Sequence, residues 1–334
     1  MKKTALLLTF CLLLGLFSGC AVKKEHAETF FFMDTVIGVT LYTEESKLAE
    51  EAFSKCSTIL SELDALWARQ QAESDVARWN AATDATALNS RTAELIHTAL
   101  EVSRATNGAF DITVAPLVEL WQSSGERNQL PSETALSAAL AQVGYEKLSF
   151  VDSTTLAKAD PHVAMDLGGI GKGAAIDALL AYLTSLRLDG GLITFGSNVA
   201  VFGEKPNGQP FRIGLRDPQN ALASVGIFQL REKEILSVSG DYERYVTIGG
   251  KQYHHILDCK TGYPADQGLA SVAVIASDGV LADALSTALF VMGYDAAIKF
   301  YKSALYDFEA VFISGDGGLT WTDGLSDRFT ATEK

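Results

Sequence analysis

The chain has few of the residues that build metal cages or disulfide frameworks. Its 334 residues include four cysteines and five histidines. Cys11 and Cys20 belong to the first twenty residues, so only Cys56 and Cys259 remain for the rest of the chain. Two lone cysteines without C-x-x-C spacing do not make a zinc site, and sequence spacing alone does not say whether they are joined. Basic residues are also scarce: 27 Lys and Arg stand against 41 Asp and Glu, a net charge of −14, with no basic run. Such a balance repels a phosphate backbone and argues against nucleic acid as a partner. No repeat of 20–50 residues and no low-complexity segment occurs, which sets aside a repeat architecture. What is abundant is apolar surface. Hydrophobic residues make up 48% and charged residues 20%, enough for a packed core.

The N-terminus has its own logic. Lys2 and Lys3 precede an apolar run from Thr4 to Leu16, and small residues lead into Cys20 in "LFSGC". The run is short for a membrane span, which needs about 20 residues. Residues 1–19 have the form of an export signal and resemble a bacterial lipoprotein signal, with Cys20 as the lipidated first mature residue. Phe17 stands where such signals usually carry Leu. Residues 20–28 then read as a polar tether and residues 29–334 as one folded domain. The expected location is extracytoplasmic, lipid-anchored on a bacterial membrane. Loss of residues 1–19 removes Lys2, Lys3 and no acid, leaving a charge of −16.

Along the domain, Thr29 to Thr43 reads as one β-branched strand. Helical spacing covers Glu44 to Leu66, Arg91 to Thr106, Ser132 to Val143 and Ala174 to Leu186. "ESDVARWN" reads as a loop with a short turn, and "FDITVAPL" as a loop. The second half is rich in short strands, from Gly191–Phe195 to Tyr253–Leu257. It continues with a strand over Leu269–Ala276, a helix closed by Gly293, and a final hairpin around "GDGG". Strands and helices in blocks, without strict alternation, predict an α+β domain of mixed, largely antiparallel sheets with packed helices.

Several segments carry polar groups suited to chemistry. "VAMDLGGIGKGAAIDALL" puts a glycine-rich loop before a helix, the layout of a phosphate site. It fails the P-loop pattern, because Asp166 takes the first glycine's place and Gly173 that of Ser or Thr. Gly169, Gly171 and Ala174 only graze the dinucleotide fingerprint, and Asp166 places a carboxylate near any pyrophosphate. Asp283 and Thr287 stand four apart on a predicted helix and share a face. Carboxylate, hydroxyl and carbonyl oxygens suit Mg²⁺. The plainer reading makes Asp283 an early-turn acid and lets Thr287 bond back to the backbone. His254 and His255 in a strand would point to opposite faces. "SGDYERY" offers Ser239, and "FDITVAPL" an acid and a hydroxyl that could bond the edge of a flat ring.

Together "MDTVIGVTLY", "SDVARWN", "GAFDITVAPLVELW", "MDLGGIGKGAAID", "SVSGDYERY", "HHILDCKTGYP" and "ADALSTALFVMG" resemble, in order, the ApbE family of FAD:protein FMN transferases. The resemblance spans nearly all of the mature chain. It implies a single ApbE-like catalytic domain over residues 29–334 that binds FAD and a divalent metal, usually Mg²⁺. Such enzymes join FMN through a phosphoester to a Thr or Ser hydroxyl of an extracytoplasmic or membrane flavoprotein and release AMP. An FAD pyrophosphatase and a non-catalytic flavin-binding lipoprotein are the alternatives.

Residue by residue, the resemblance assigns metal binding to the Gly169 carbonyl, Asp283 and Thr287. It assigns contacts with the flavin dinucleotide to Met33, Ala109, Phe110, Asp111, Asp166, Lys172 and Ile256. His255 is the expected proton acceptor, a group suited to work near neutral pH, and Asp283 the other expected catalytic group. The chain departs from the family pattern at Asp34, where Gly is usual, and at Cys259, where Pro is usual. Gln70 falls where an aromatic often stacks on the dinucleotide. Phe195 and Ser197 flank Gly196 where a second glycine is common.

Overall fold

The computed structural model describes residues 24–332. Cys20, the signal over residues 1–19 and residues 21–23 of the tether lie outside the described residues. No described helix is long and apolar enough to cross a membrane.

The main sheet has eight strands: β1 (Lys24–Phe32), β2 (Thr35–Thr43), β6 (Gly190–Phe195), β7 (Asn198–Gly203), β10 (Ile235–Gly240), β13 (Leu269–Ala276), β14 (Glu309–Ser314) and β15 (Leu319–Trp321). They lie side by side in that order, each pair antiparallel. A small sheet joins β3 (Thr86–Ala87), β5 (Thr155–Lys158) and β4 (Leu148–Phe150). Another joins β16 (Phe329–Ala331), β9 (Asn220–Leu230) and β8 (Phe211–Asp217), and β11 (Tyr245–Ile248) pairs with β12 (Lys251–His254) as a hairpin.

The helices are α1 (Ser46–Trp67), α2 (Asp75–Ala81), α3 (Ser90–Ala105), α4 (Ala115–Glu126), α5 (Glu133–Leu140), α6 (Gly171–Leu183), α7 (Gly279–Met292) and α8 (Tyr294–Lys302). The class is α+β, as the sequence pattern predicts.

The main sheet separates two cores. On β13, Val272, Val274 and Ala276 face the helices, while Ala273 and Ile275 face the β16-β9-β8 sheet. Successive residues of a strand point to opposite faces, so "LASVAVIA" is apolar throughout because both faces are covered. Helix α7 lies on β10 and β13 and against α6. It buries Ala282, Leu285, Leu289 and Phe290 on several sides, as expected of a central helix. Its crossing with α6 is backbone on backbone. A Cβ added to Gly173 would lie 1.9 Å from the Gly279 carbonyl oxygen. Glycine alone permits this approach, and the approach brings the glycine loop to Asp283.

Some expectations change. Residues 29–43 form a hairpin rather than one strand, turning at Met33 (φ 51°) and Asp34 (φ 53°). A two-residue turn with both φ positive usually advertises itself with Asn-Gly or Gly-Gly, and Met-Asp gives no such sign. The tether is shorter than expected, because Lys24 to Glu28 are already paired in β1. "SDVARWN" is helix α2, capped by Ser74 accepting from the Ala77 amide. Pro116 in the first turn of α4 marks a helix start, so the "VAPL" end of the expected loop is helical. The strand expected over Tyr253–Leu257 ends at His254.

Candidate active site

Asp283 sits on α7 with its side chain 4% exposed. Its Oδ2 accepts from the Gly173 amide at 2.9 Å, and its Oδ1 accepts from Asn198 Nδ2 at 3.0 Å and Ser237 Oγ at 3.2 Å. Lys172 Nζ lies 3.1 Å from Oδ1 and also donates to the Gly168 carbonyl at 3.0 Å. A buried carboxylate needs such partners, so Asp283 is far more than an early-turn acid.

One turn on, Thr287 Oγ1 faces Ser239 Oγ at 3.3 Å instead of bonding back along the helix. Gly169 completes the group: a Cβ built there would lie 3.8 Å from Thr287 Oγ1 and 3.2 Å from the Phe110 ring. Gly169, Phe110, Lys172, Asp283 and Thr287 therefore converge, although more than a hundred residues separate the loop from α7.

The groups gathered here are hard oxygens: the Asp283 carboxylate, the Thr287, Ser237 and Ser239 hydroxyls and the Gly168 carbonyl. The Lys172 ammonium already bridges the Gly168 carbonyl and Asp283, so the arrangement accepts a cation. This donor set fits Mg²⁺, which takes few protein ligands beside phosphate and water. Among the described residues no cluster of three or more His, Cys, Asp or Glu forms, in keeping with a set that contains one acid.

His255 lies just beyond β12. Its Nδ1 is 3.0 Å from the Arg244 carbonyl oxygen. A carbonyl only accepts, so Nδ1 carries the proton and Nε2 keeps a free lone pair. The crowded surroundings push the imidazole pKa down to about 4, helped by the positive charges of Lys172 and Arg244 and opposed by the Arg244 carbonyl. His255 is nevertheless an exposed residue. His254 differs: its Nε2 contacts the Ala265 carbonyl at 3.0 Å and its ring stands edge-on to Phe290. It is the structural histidine of the pair.

Arg244 links His255 to the N-terminal turn, since its Nη2 donates to Asp34 O at 3.3 Å and Thr35 Oγ1 at 3.2 Å. That clamp holds Met33 and Asp34 in left-handed backbone, a conformation uncommon for residues other than Gly. Thus the turn that carries Met33 is tied to the His255 backbone segment through Arg244. Sequence reasoning passed over Arg244, Asn198, Ser237 and Arg69. The only sign for the first was its place in the polar break "SGDYERY".

Asp166 lies in coil just before the glycine loop. Its amide donates to the Ile112 carbonyl at 2.8 Å, its Oδ1 accepts from Gly168 N–H at 2.7 Å, and its Oδ2 pairs with Arg69. Asp111 and Thr113 bond chiefly within their own segment and to the turn at Gly144. Asp111 Oδ1 accepts from both Thr113 groups and Oδ2 from the Tyr145 amide, while Thr113 Oγ1 accepts from Gly144 N–H. Burial raises the Asp111 pKa. This segment can meet a ligand through Phe110 and its backbone.

Ala109 lines an open groove of about 640 Å³ with Asp258, Lys260, Val291 and Phe300. Ile256 is buried in the helix-side core, with its carbonyl accepting from the Ala265 amide. Cys56 and Cys259 are free thiols. Burial pushes Cys56 up to about 12 and raises Cys259 as well, so neither is a ready nucleophile.

A buried acid and a half-buried lysine between a glycine loop and a central helix, with a histidine near enough to feel that lysine's charge, form a site suited to group transfer. The chain belongs to the ApbE family, whose model matches residues 33–312. It is 28% identical to the FAD:protein FMN transferase of Escherichia coli K12 over 334 residues, 95% of each chain. It is 31% identical to that of Vibrio cholerae over 258 residues, 76% of this chain and 74% of that one. The Thermotoga maritima ApbE protein superposes with a TM-score of 0.81 at 30% identity, over 90% of this chain and 98% of that one. The apo form of Pseudomonas stutzeri flavinyl transferase ApbE gives 0.80 at 30% identity, over 93% and 98%.

Proposed function

We propose that this chain is a lipid-anchored, extracytoplasmic FAD:protein FMN transferase. The observation that carries the reading is His255, whose Nδ1 is spent on the Arg244 carbonyl and which lies near enough to Lys172 of the oxygen-rich cluster to feel its charge. His255 Nε2 takes the proton from a Thr or Ser hydroxyl of the acceptor flavoprotein. The hydroxyl oxygen bonds to the FMN phosphorus, the bond from that phosphorus to the bridging oxygen breaks, and AMP leaves with the bond's electron pair. Atoms and charge balance without a redox partner. Positioning and charge neutralisation dominate such transfers.

The Lys172 ammonium faces the pyrophosphate. Met33, Phe110, Asp166, Ile256 and the backbone of Ala109 and Asp111 contact the dinucleotide. Asp283, Thr287 and the Gly169 carbonyl would hold Mg²⁺, which supplies Lewis-acid stabilisation of phosphate charge when bound. Cys20 carries the lipid.

Incubation with FAD, Mg²⁺ and an acceptor peptide bearing one Thr, read by mass spectrometry, should give an FMN adduct on that Thr. FMN and AMP without adduct would make the chain a pyrophosphatase. Intact FAD after long incubation would leave only a flavin-binding protein.

A further inference from the structure

Arg69, two residues past α1, is 87% enclosed, with a side chain 13% exposed. Its Nη1 donates to Glu119 Oε1 of α4 at 2.6 Å. Its Nε lies 3.2 Å from Asp166 Oδ2, within ion-pair reach, yet it is buried and not aligned to donate to any acceptor. Two residues earlier, the Trp67 ring is 3.8 Å from where a Cβ on Gly171 would lie, and its Nε1 is also buried without an acceptor. The end of α1 and the residues just after it therefore place two unsatisfied N–H donors, and a cation shared with Glu119, beside the glycine loop. Buried donors are seldom left unpaired without a reason.

The charges around the loop explain the need. Lys172 is balanced by Asp283. Asp166 stands at the loop with its carboxylate about a quarter exposed, and it would repel an incoming diphosphate. Among the described residues, Arg69 is the cation in ion-pair contact with it.

We infer that Arg69 is a positioning residue for the anionic part of the substrate: its charge, shared between Glu119 and Asp166, offsets the carboxylate that the Gly168 amide holds at the loop, so that the loop accepts a phosphate ester. The guanidinium is always charged and presents a rigid fork, which suits it to hold Asp166 on one edge and Glu119 on the other. The inference rests on reading the glycine loop as the FAD phosphate site. It assigns a role to Arg69 beside Gln70, where the family's frequent aromatic stack is missing.

The probes are FAD, FMN and riboflavin, titrated by flavin fluorescence against the folded protein. Riboflavin carries the ring without phosphate. Arg69→Ala should weaken FAD and FMN by about tenfold, the scale of one charge-assisted contact, and change riboflavin by less than about twofold. Adding Asp166→Asn to Arg69→Ala should restore most of the FAD affinity, because the uncompensated charge is gone. Arg69→Lys should keep more affinity than Arg69→Ala.

Equal losses for all three flavins would overturn the inference, since a merely structural role predicts them. So would unchanged FAD affinity in Arg69→Ala, or no recovery in the double variant. Arg69→Gln serves the same test if the Ala variant does not fold. If the unaltered protein binds FAD no better than riboflavin, the phosphate-site reading itself fails, a result distinct from failure at Arg69 alone.

Discussion

His255 Nδ1 lies 3.0 Å from the Arg244 carbonyl oxygen, and this one contact decides which ring nitrogen holds the proton. Because the donor side is spent on the backbone, Nε2 keeps the lone pair that a base needs. His255→Gln should therefore lower the rate of FMN transfer by about 10²-fold or more while FAD affinity stays within a few-fold. Single-turnover rates beside FAD titrations check this. A parallel fall in FAD affinity would make His255 a binding residue rather than a base.

The same imidazole predicts an unusual pH profile. An ordinary histidine loses its base form near pH 6.5, whereas crowding and the Lys172 and Arg244 charges push His255 down to about 4. Transfer should thus survive well below pH 6 before its acid limb appears. The stability consequence has the same sign. Between pH 6.5 and 4 the unfolded chain takes up a proton that the folded chain refuses, so this contribution is present above pH 6.5 and is lost as pH falls.

Asp177 acts oppositely. Burial raises its carboxyl to about 6, so the folded chain holds the extra proton between pH 6 and 3.8. Denaturant midpoints of the unaltered protein and His255→Gln, compared across pH 4–7, separate the two. A transfer limb near 6.5 would contradict the low imidazole pKa.

Asp283 calls for a gentler substitution than alanine. Asp283→Ala would leave the Lys172 ammonium, the Gly173 amide and the Asn198 amide without their shared acceptor. Breaking a buried pair on one side costs about 3–5 kcal/mol, so this variant should lose stability together with activity. Asp283→Asn keeps the shape and one acceptor oxygen while removing the charge. It should remain folded, shown by a cooperative melt, and lose Mg²⁺-dependent transfer. Full Mg²⁺-dependent turnover in Asp283→Asn would remove Asp283 from the metal set.

The legible parts of the sequence were those where one local rule dominated. The β13–α7 unit declares itself through an unbroken apolar strand and a helix ended by Gly293, and Asp283 and Thr287 fall on its shared face by spacing alone. The glycine loop was legible as a phosphate-type turn, yet its partner could not be read locally. The Asp283–Gly173 bond depends on two helices touching at Gly173 and Gly279, a tertiary fact. The Met33–Asp34 turn was hidden because Arg244, about 210 residues later, holds a backbone that Met and Asp do not advertise. Arg69 was hidden for the same reason: a lone arginine in a polar stretch has no pattern until Asp166 is placed beside it. The bonds of Asp111 and Thr113 to each other, to Tyr145 and to Gly144 had no local sign, because polar atoms beside apolar residues serve a turn as readily as a ligand.

The helix crossing itself gives the sharpest test of the fold's role in the site. A Cβ on Gly173 would meet the Gly279 carbonyl oxygen at 1.9 Å and the Asp283 Cβ at 2.9 Å, and neither neighbour is the free end of a flexible side chain. The helices must separate to admit a methyl group, and overpacking of this kind costs about 3 kcal/mol or more. Gly173→Ala should lower the melting temperature and pull the glycine-loop amide away from Asp283, so FAD affinity should fall with it. Gly171→Ala is the matched control. Its added Cβ would meet only the Trp67 ring, at an ordinary 3.8 Å, and alanine is the better helix former. Its unfolding free energy should stay within about 1 kcal/mol of the unaltered protein. Equal melting temperatures for the two variants would mean that α6 and α7 have room to part, and that Asp283 is held by its side-chain partners rather than by the backbone contact.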